Sequence, residues 1–189
     1  MNDFSNDIKS SIKVLLRGGI ILYPTDTIWG IGCDATKGVA VKKIYQLKKR
    51  AEKKSLIILV ADENEISNYV ATPSQKILDF ISIQQHPTTA IFKNAIHLPK
   101  EIINEDGSVA IRIVKDDFCL AILHQLKGPL VSTSANISGE ASPQNFQQVS
   151  TAIKNGVDFI VQHRRNEIIN FRQSSIIKLN SLDEIEKIR

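Results

Sequence analysis

Residues 23–34 read Tyr23-Pro24-Thr25-Asp26-Thr27-Ile28-Trp29-Gly30-Ile31-Gly32-Cys33-Asp34. An apolar run, Ile20-Ile21-Leu22, leads into them. Pro24 has no N–H to give to a ladder, so the strand predicted over residues 20–23 stops there. Two threonines and an aspartate follow, then the chain's sole tryptophan, then two glycines two apart. Hydroxyls and a carboxylate just past a strand end make up a binding loop on an α/β scaffold. Gly30 and Gly32 would let the backbone approach a ligand or turn sharply. A polar turn after a buried strand fits the same residues, and the segment alone leaves both readings open.

Working outward, residues 7–17 carry Ile8, Ile12, Leu15 and Leu16 on one stripe, which predicts an amphipathic helix closed by Gly18-Gly19. Residues 39–49 predict a second helix with Ala40, Ile44 and Leu47 inward. Leu56-Ile57-Ile58-Leu59-Val60 is a continuous apolar run, as in a central strand covered on both faces. Asp62, with Glu65 three residues on, caps a short helix. Thr72-Pro73-Ser74 breaks the chain, and Ser74 caps a helix to about residue 83. Strands are predicted over residues 89–92 and 108–114. The second alternates, with Val109, Ile111 and Ile113 on one face and Ser108, Ala110 and Arg112 on the other. Asp116 or Asp117 caps a helix to residue 126. Leu130-Val131 is a short strand that runs into Ser132-Thr133-Ser134-Ala135-Asn136-Ile137-Ser138-Gly139. A short helix is predicted over residues 145–153, strands over 158–161 and 174–179, and a final helical turn or two over 181–188. The polar, basic stretch 162–173 reads as a mobile loop. Strands and helices interleave, so the class is α/β with a mixed sheet, in a single domain over residues 1–189.

The 189 residues are 42% apolar and 23% charged, enough to build a core, and the net charge is +4. A balance this mildly basic permits a polyanionic partner without requiring one. No basic and apolar leader opens the chain, and no apolar run is long enough to span a bilayer. Cys33 and Cys119 are far apart and fit reduced thiols, so a cytoplasmic protein with no membrane partner is expected. The chain has no G-x-x-x-x-G-K-[ST] loop and no G-x-S-x-G elbow. Gly30, Gly32 and Ala35 make a G-x-G-x-x-A pattern, but it lies past the strand and no acidic strand end follows at the right distance. The four histidines show no paired metal spacing, so no protein-held metal is expected.

Three features carry chemistry. Residues 42–54 hold seven cations against one acid, including Lys48, Arg50 and Lys54. They suit either a solvated helix end or a phosphate clamp. Ser108 and Arg112 share a strand face, as a structural ion pair or as a clamp for a small carboxylate substrate. Residues 132–139 offer four hydroxyls and an amide after a strand end, as a cap and turn or as a loop that donates to phosphate, ribose or an amino acid.

Together, in order and spacing, these segments resemble the YrdC family of L-threonylcarbamoyladenylate synthases, in its short form. The resemblance covers nearly the whole chain. It implies a twisted mixed parallel and antiparallel sheet with flanking helices around a basic concave cavity. It also implies a nucleotidyltransferase that makes threonylcarbamoyl-AMP and pyrophosphate from L-threonine, bicarbonate and ATP with Mg2+, for N6-threonylcarbamoyladenosine in tRNA. The tRNA or the threonylcarbamoyl-transfer machinery would be the further partner. Carried over residue by residue, Thr27, Arg112, Ser134 and Ser174 would hold threonine. Lys48, Arg50, Lys54, Ser108, Asn136 and Arg189 would hold the nucleotide, with Lys48 and Arg50 catalytic. The family's usual proline after the arginine of its K-x-R motif is Ala51 here. Its Pro-Gly-Pro-x-Thr segment is reduced to His86-Pro87-Thr88-Thr89, with Thr89 expected to take the threonine role. Two other readings stand beside it. One is a structured-RNA-binding module that uses the same basic cavity, against which few aromatics speak. The other is a relative of this fold that handles carbamoyl-adenylate in metalloenzyme maturation, whose usual added domains are not expected here.

Overall fold

The computed structural model describes residues 4–51, 56–167 and 173–189. The described strands are β1 (Ile21–Tyr23), β2 (Gly30–Gly32), β3 (Ile57–Val60), β4 (Thr88–Phe92), β5 (Val109–Ile113), β6 (Leu130–Ser134), β7 (Phe159–Ile160), β8 (Ser175–Leu179) and β9 (Ile185–Lys187). They form one sheet in the order β7-β1-β2-β6-β3-β5-β4-β8-β9. The pairs β1–β7, β3–β5 and β4–β8 are parallel, and the other five are antiparallel. The mixed α/β class expected from the sequence is thus observed.

Helices α1 (Ser5–Leu16), α2 (Gly38–Leu47), α3 (Gln75–Ser82), α4 (Asp117–Leu126) and α5 (Thr151–Gly156) flank the sheet. Side-chain alternation sorts them into two layers. Ile58 and Val60 of β3 pack with Ala40, Ile44, Ile77 and Ile153, from α2, α3 and α5. Leu59, between them, packs with Ile8 and Leu15 of α1 and with Phe118 and Ile122 of α4. The central run 56–60 is therefore buried on both faces, which is why it reads as uninterrupted apolar sequence.

Helix ends explain how the chain reaches the site. The α1 terminus is a Schellman turn, with Gly18 N–H on Leu15 O, Gly19 N–H on Val14 O, and φ +73° at Gly18. The α2 terminus is the same turn without a glycine. Lys49 takes φ +50° and donates to Gln46 O, and Arg50 donates to Tyr45 O. Lys48 and Arg50 thus flank a left-handed residue and leave the helix in different directions.

Three expectations are corrected. Gly30-Ile31-Gly32 is strand β2, not loop; it pairs with β1 and β6. The residues around 145 do not open a helix, because Gln148 Oε1 takes Gln144 N–H and Asn145 Oδ1 takes Gln148 N–H. Helix α5 starts at Thr151 with Ser150 as its cap. Residues 181–188 are not helical. Asn180 Oδ1 accepts from Leu182 and Glu184 N–H, Asp183 sits at φ +59°, and the chain returns as β9.

Gly32 stands where a side chain has no room. A Cβ there would lie 2.3 Å from Val131 O and 2.9 Å from the Tyr23 ring. Gly32→Val is expected to destabilise the fold by about 1–3 kcal/mol, the usual cost of overpacking a core. A urea titration checks this, and an unchanged midpoint would refute it. Among the described residues no helix is long and apolar enough to cross a membrane.

Candidate active site

On the α1/α4 side of the sheet, the helices stop short of one row of cross-strand partners. Ser132 of β6 pairs with Ile57 of β3, Ile57 with Ala110 of β5, and Ala110 with Ile91 of β4. All four line a cavity of about 420 Å³. This row is its floor. Its rim carries Thr25, Thr27, Ser134, Ser174 and three arginines, Arg50, Arg112 and Arg189. Ile176 and Ile188, from the β8–β9 hairpin, add an apolar wall.

Each rim residue has a local cause. Past Pro24 the Thr25 hydroxyl accepts from Thr27 and Ile28 N–H and donates to Ile28 O. This hydroxyl-built turn presents Thr27, whose Oγ1 lies 2.9 Å from that of Thr25. Arg112 is 4% exposed. Its Nη2 lies 3.0 Å from Asp26 Oδ1, and its Nη1 donates to Thr27 Oγ1 at 3.2 Å. Its Nε has no hydrogen-bond partner among the described residues. Burial raises the Asp26 carboxyl above its usual range, opposed by the Arg112 charge. Asp26 faces a second groove, of about 990 Å³, so the ion pair stands between two hollows. On the far rim, the Ser174 hydroxyl bonds that of Thr89 at 2.9 Å, and Arg189 Nε donates to Ser174 O. Burial, then repulsion from Arg112, lowers the Arg189 pKa.

The structure thus brings Thr27, Arg50, Arg112, Ser134, Ser174 and Arg189 to one cavity. It places four predicted residues elsewhere. Thr89, expected to take the threonine role, is fully buried, bonds the Ser174 hydroxyl and does not line the cavity. The Ser108 hydroxyl donates to Asp106 Oδ1 at 2.6 Å and accepts from Asn104, just before β5, so only Ala110 and Arg112 of that face reach the cavity. Asn136 Nδ2 donates to Ile137 O and Glu140 O. Lys48 is 1% exposed and does not line the cavity. Its Nζ donates to Ser134 O and, at 2.7 Å, to Asn136 O. Burial, then the Arg50 charge, lowers its pKa to about 7. Lys54 and the central part of the 162–173 loop, residues 168–172, lie outside the described residues. At the start of that loop, Gln162 and His163 N–H are tied to Asp7 Oδ2. Sequence reasoning placed Thr25 and Ser132 in hydroxyl-rich binding stretches without giving either a ligand, and it missed the Ile176–Ile188 wall. The i, i+2 spacing of Ser132 and Ser134, read as strand, would have found the first two cavity hydroxyls of β6 together.

The Sua5/YciO/YrdC family model, described as "Telomere recombination", matches residues 13–189. The chain belongs to the Sua5/YciO/YrdC family. Among curated relatives, a threonylcarbamoyl-AMP synthase from Hydrogenovibrio crunogenus is 31% identical over 70% of this chain and 74% of its own length. One from Coxiella burnetii is 27% identical over 95% of this chain and 100% of its own. The fold agrees with solved family structures. P. abyssi Sua5 complexed with L-threonine superposes with a TM-score of 0.84 at 22% identity, over 96% of this chain and 53% of that one. This chain therefore spans about half the length of that protein. E. coli YciO gives a TM-score of 0.83 at 19% identity, over 97% of this chain and 88% of its own.

Proposed function

We propose that the chain is an L-threonylcarbamoyladenylate synthase: it forms threonylcarbamoyl-AMP and pyrophosphate from L-threonine, bicarbonate and ATP. The observation that carries this reading is the end-to-end match to a curated threonylcarbamoyl-AMP synthase, over 95% of this chain and all of that one. The product serves N6-threonylcarbamoyladenosine formation in tRNA. The structured-RNA reading of the cavity is not favoured beside relatives named as synthases.

The cavity suits the chemistry. Threonine's amine attacks bicarbonate carbon and loses water to give a carbamate. A carbamate oxygen then forms a bond to the α-phosphorus of ATP, and the bond to the bridging oxygen breaks with pyrophosphate leaving. The enzyme is on this reading a nucleotidyltransferase, with the carbamate as acceptor. The nucleophile is already charged, so the protein's task is positioning and charge neutralisation. Arg112 binds threonine's carboxylate through the edge that Asp26 and Thr27 leave free. Thr27, Ser134 and Ser174 surround its amine and hydroxyl. Arg50 and Arg189 face the phosphates; guanidiniums match such oxygens in pairs. Among the described residues no cluster of three His, Cys, Asp or Glu could hold a metal ion, and no described cavity-lining residue is a carboxylate. These residues do not form a magnesium site by themselves; Mg2+ would arrive with ATP.

Pyrophosphate release from ATP, with and without L-threonine and with serine as control, tests the reading. Threonine-dependent release is expected; equal release with serine, or none, would overturn it. Arg50→Ala is expected to cost about 2–3 kcal/mol in kcat/KM for ATP, the scale of one preorganised electrostatic donor. A loss under roughly tenfold would make Arg50 part of a solvated face.

A further inference from the structure

Residue 48 meets the 134–138 segment three times. Its Nζ donates to Ser134 O and to Asn136 O, and its own carbonyl accepts from Ser138 N–H at 2.8 Å. The side chain is fully covered and is absent from the cavity lining, although Arg50, two residues on, is part of it. The left-handed Lys49 between them makes this divergence possible. We infer that Lys48 is a positioning residue: it clamps the backbone of the 134–138 segment to the end of α2, and so holds the Ser134 hydroxyl where threonine binds. The last clause rests on the reading of the cavity given above; the clamp itself does not.

Two considerations favour a clamp over a phosphate ligand. To reach a phosphate in the cavity the amine would have to leave both carbonyls; Ser134 O would keep the Asn136 N–H, but Asn136 O would lose the Lys48 donor, and a carbonyl left without a donor is costly. The clamp also does not need the charge. A neutral amine keeps two N–H groups, and two carbonyls stand ready to accept them. Burial pushes this lysine toward its neutral form, with a pKa of about 7, so the clamp persists where a phosphate ligand would lose its charge. A clamp at this place also ties two separate motifs together. Strain or release at the end of α2 reaches Ser134 directly, without passing through the nucleotide.

The test compares Lys48→Met and Lys48→Arg with the unaltered protein. Amide hydrogen exchange at Ser138 is expected to quicken by roughly tenfold or more in Lys48→Met, on the scale of one lost charged hydrogen bond, with Ile58 and Val60 unchanged. Unchanged exchange at Ser138 would overturn the clamp. Threonine binding, measured by calorimetry with no nucleotide present, is expected to weaken by roughly tenfold in Lys48→Met. Lys48→Arg keeps N–H donors at similar reach and is expected to hold both readouts within about threefold of the unaltered protein. Intact threonine binding in Lys48→Met, with only ATP binding weakened, would overturn the proposal in favour of a phosphate contact. Should Lys48→Met not fold, exchange at Ser138 in Lys48→Arg decides, with protection supporting the clamp and its loss overturning it. If the unaltered protein itself binds no threonine, the functional reading fails, and the exchange data still decide the clamp.

Discussion

Arg112→Ala is expected to raise the threonine requirement about a hundredfold while the ATP requirement moves far less. The guanidinium is 4% exposed and held from one side by Asp26 and Thr27. Its remaining N–H groups are the one preorganised cationic fork beside Thr27. Hydrogen bonds to a charged group contribute about 1.5–3 kcal/mol, and a bidentate carboxylate pair lies at the top of that range. The loss falls on threonine because its carboxylate has the same charge before and after adenylation. Steady-state kinetics with each substrate varied in turn checks this. Equal shifts in the two KM values would remove Arg112 from the threonine side.

Asp26→Leu is expected to cost about 3–5 kcal/mol of stability, the usual penalty for leaving one member of a buried ion pair alone. Arg112 would then be a buried cation that, among the described residues, has lost its carboxylate partner and keeps the bond to the Thr27 hydroxyl. A threonine carboxylate would restore the missing counter-charge, so saturating threonine should raise the melting temperature of Asp26→Leu more than that of the unaltered protein. The pH dependence has a defined sign. Burial raises the Asp26 carboxyl above its ordinary 3.8. Between that value and the raised one, the folded state holds more protons than the unfolded state. The Asp26 contribution to stability therefore falls as pH rises through this window. Leucine removes that limb. Denaturation at a series of pH values checks both points, and an unshifted midpoint for Asp26→Leu would refute the buried-pair account.

Local chemistry made much of the fold legible. The 56–60 run, the Gly18-Gly19 stop and the Asp116 cap on Cys119 N–H each form as their residues imply. Two elements defined by long-range pairing were not legible. Gly30–Gly32 has poor strand propensity and is a strand because Tyr23 and Ser134 stand opposite Gly30. Residues 185–187 carry the composition of a helix, and only the Asn180–Asp183 turn reverses them onto β8. That error hid the Ile188 wall. In the site, the family resemblance implied that Arg112, Thr27 and Ser134 would be brought together, as they are. It did not predict which way Lys48 points, because this depends on a left-handed lysine where a glycine is the usual signal.

The two outermost strands, β7 and β9, are two and three residues long. A nine-stranded open sheet ends in two rows of unpaired amides and carbonyls, the template on which a second chain adds its own strand. Here those rows are shorter than the five or so residues of an ordinary strand, and Glu186 and Lys187 place charge on one of them. Among the described residues, a neighbouring molecule would find little ladder to extend at either edge.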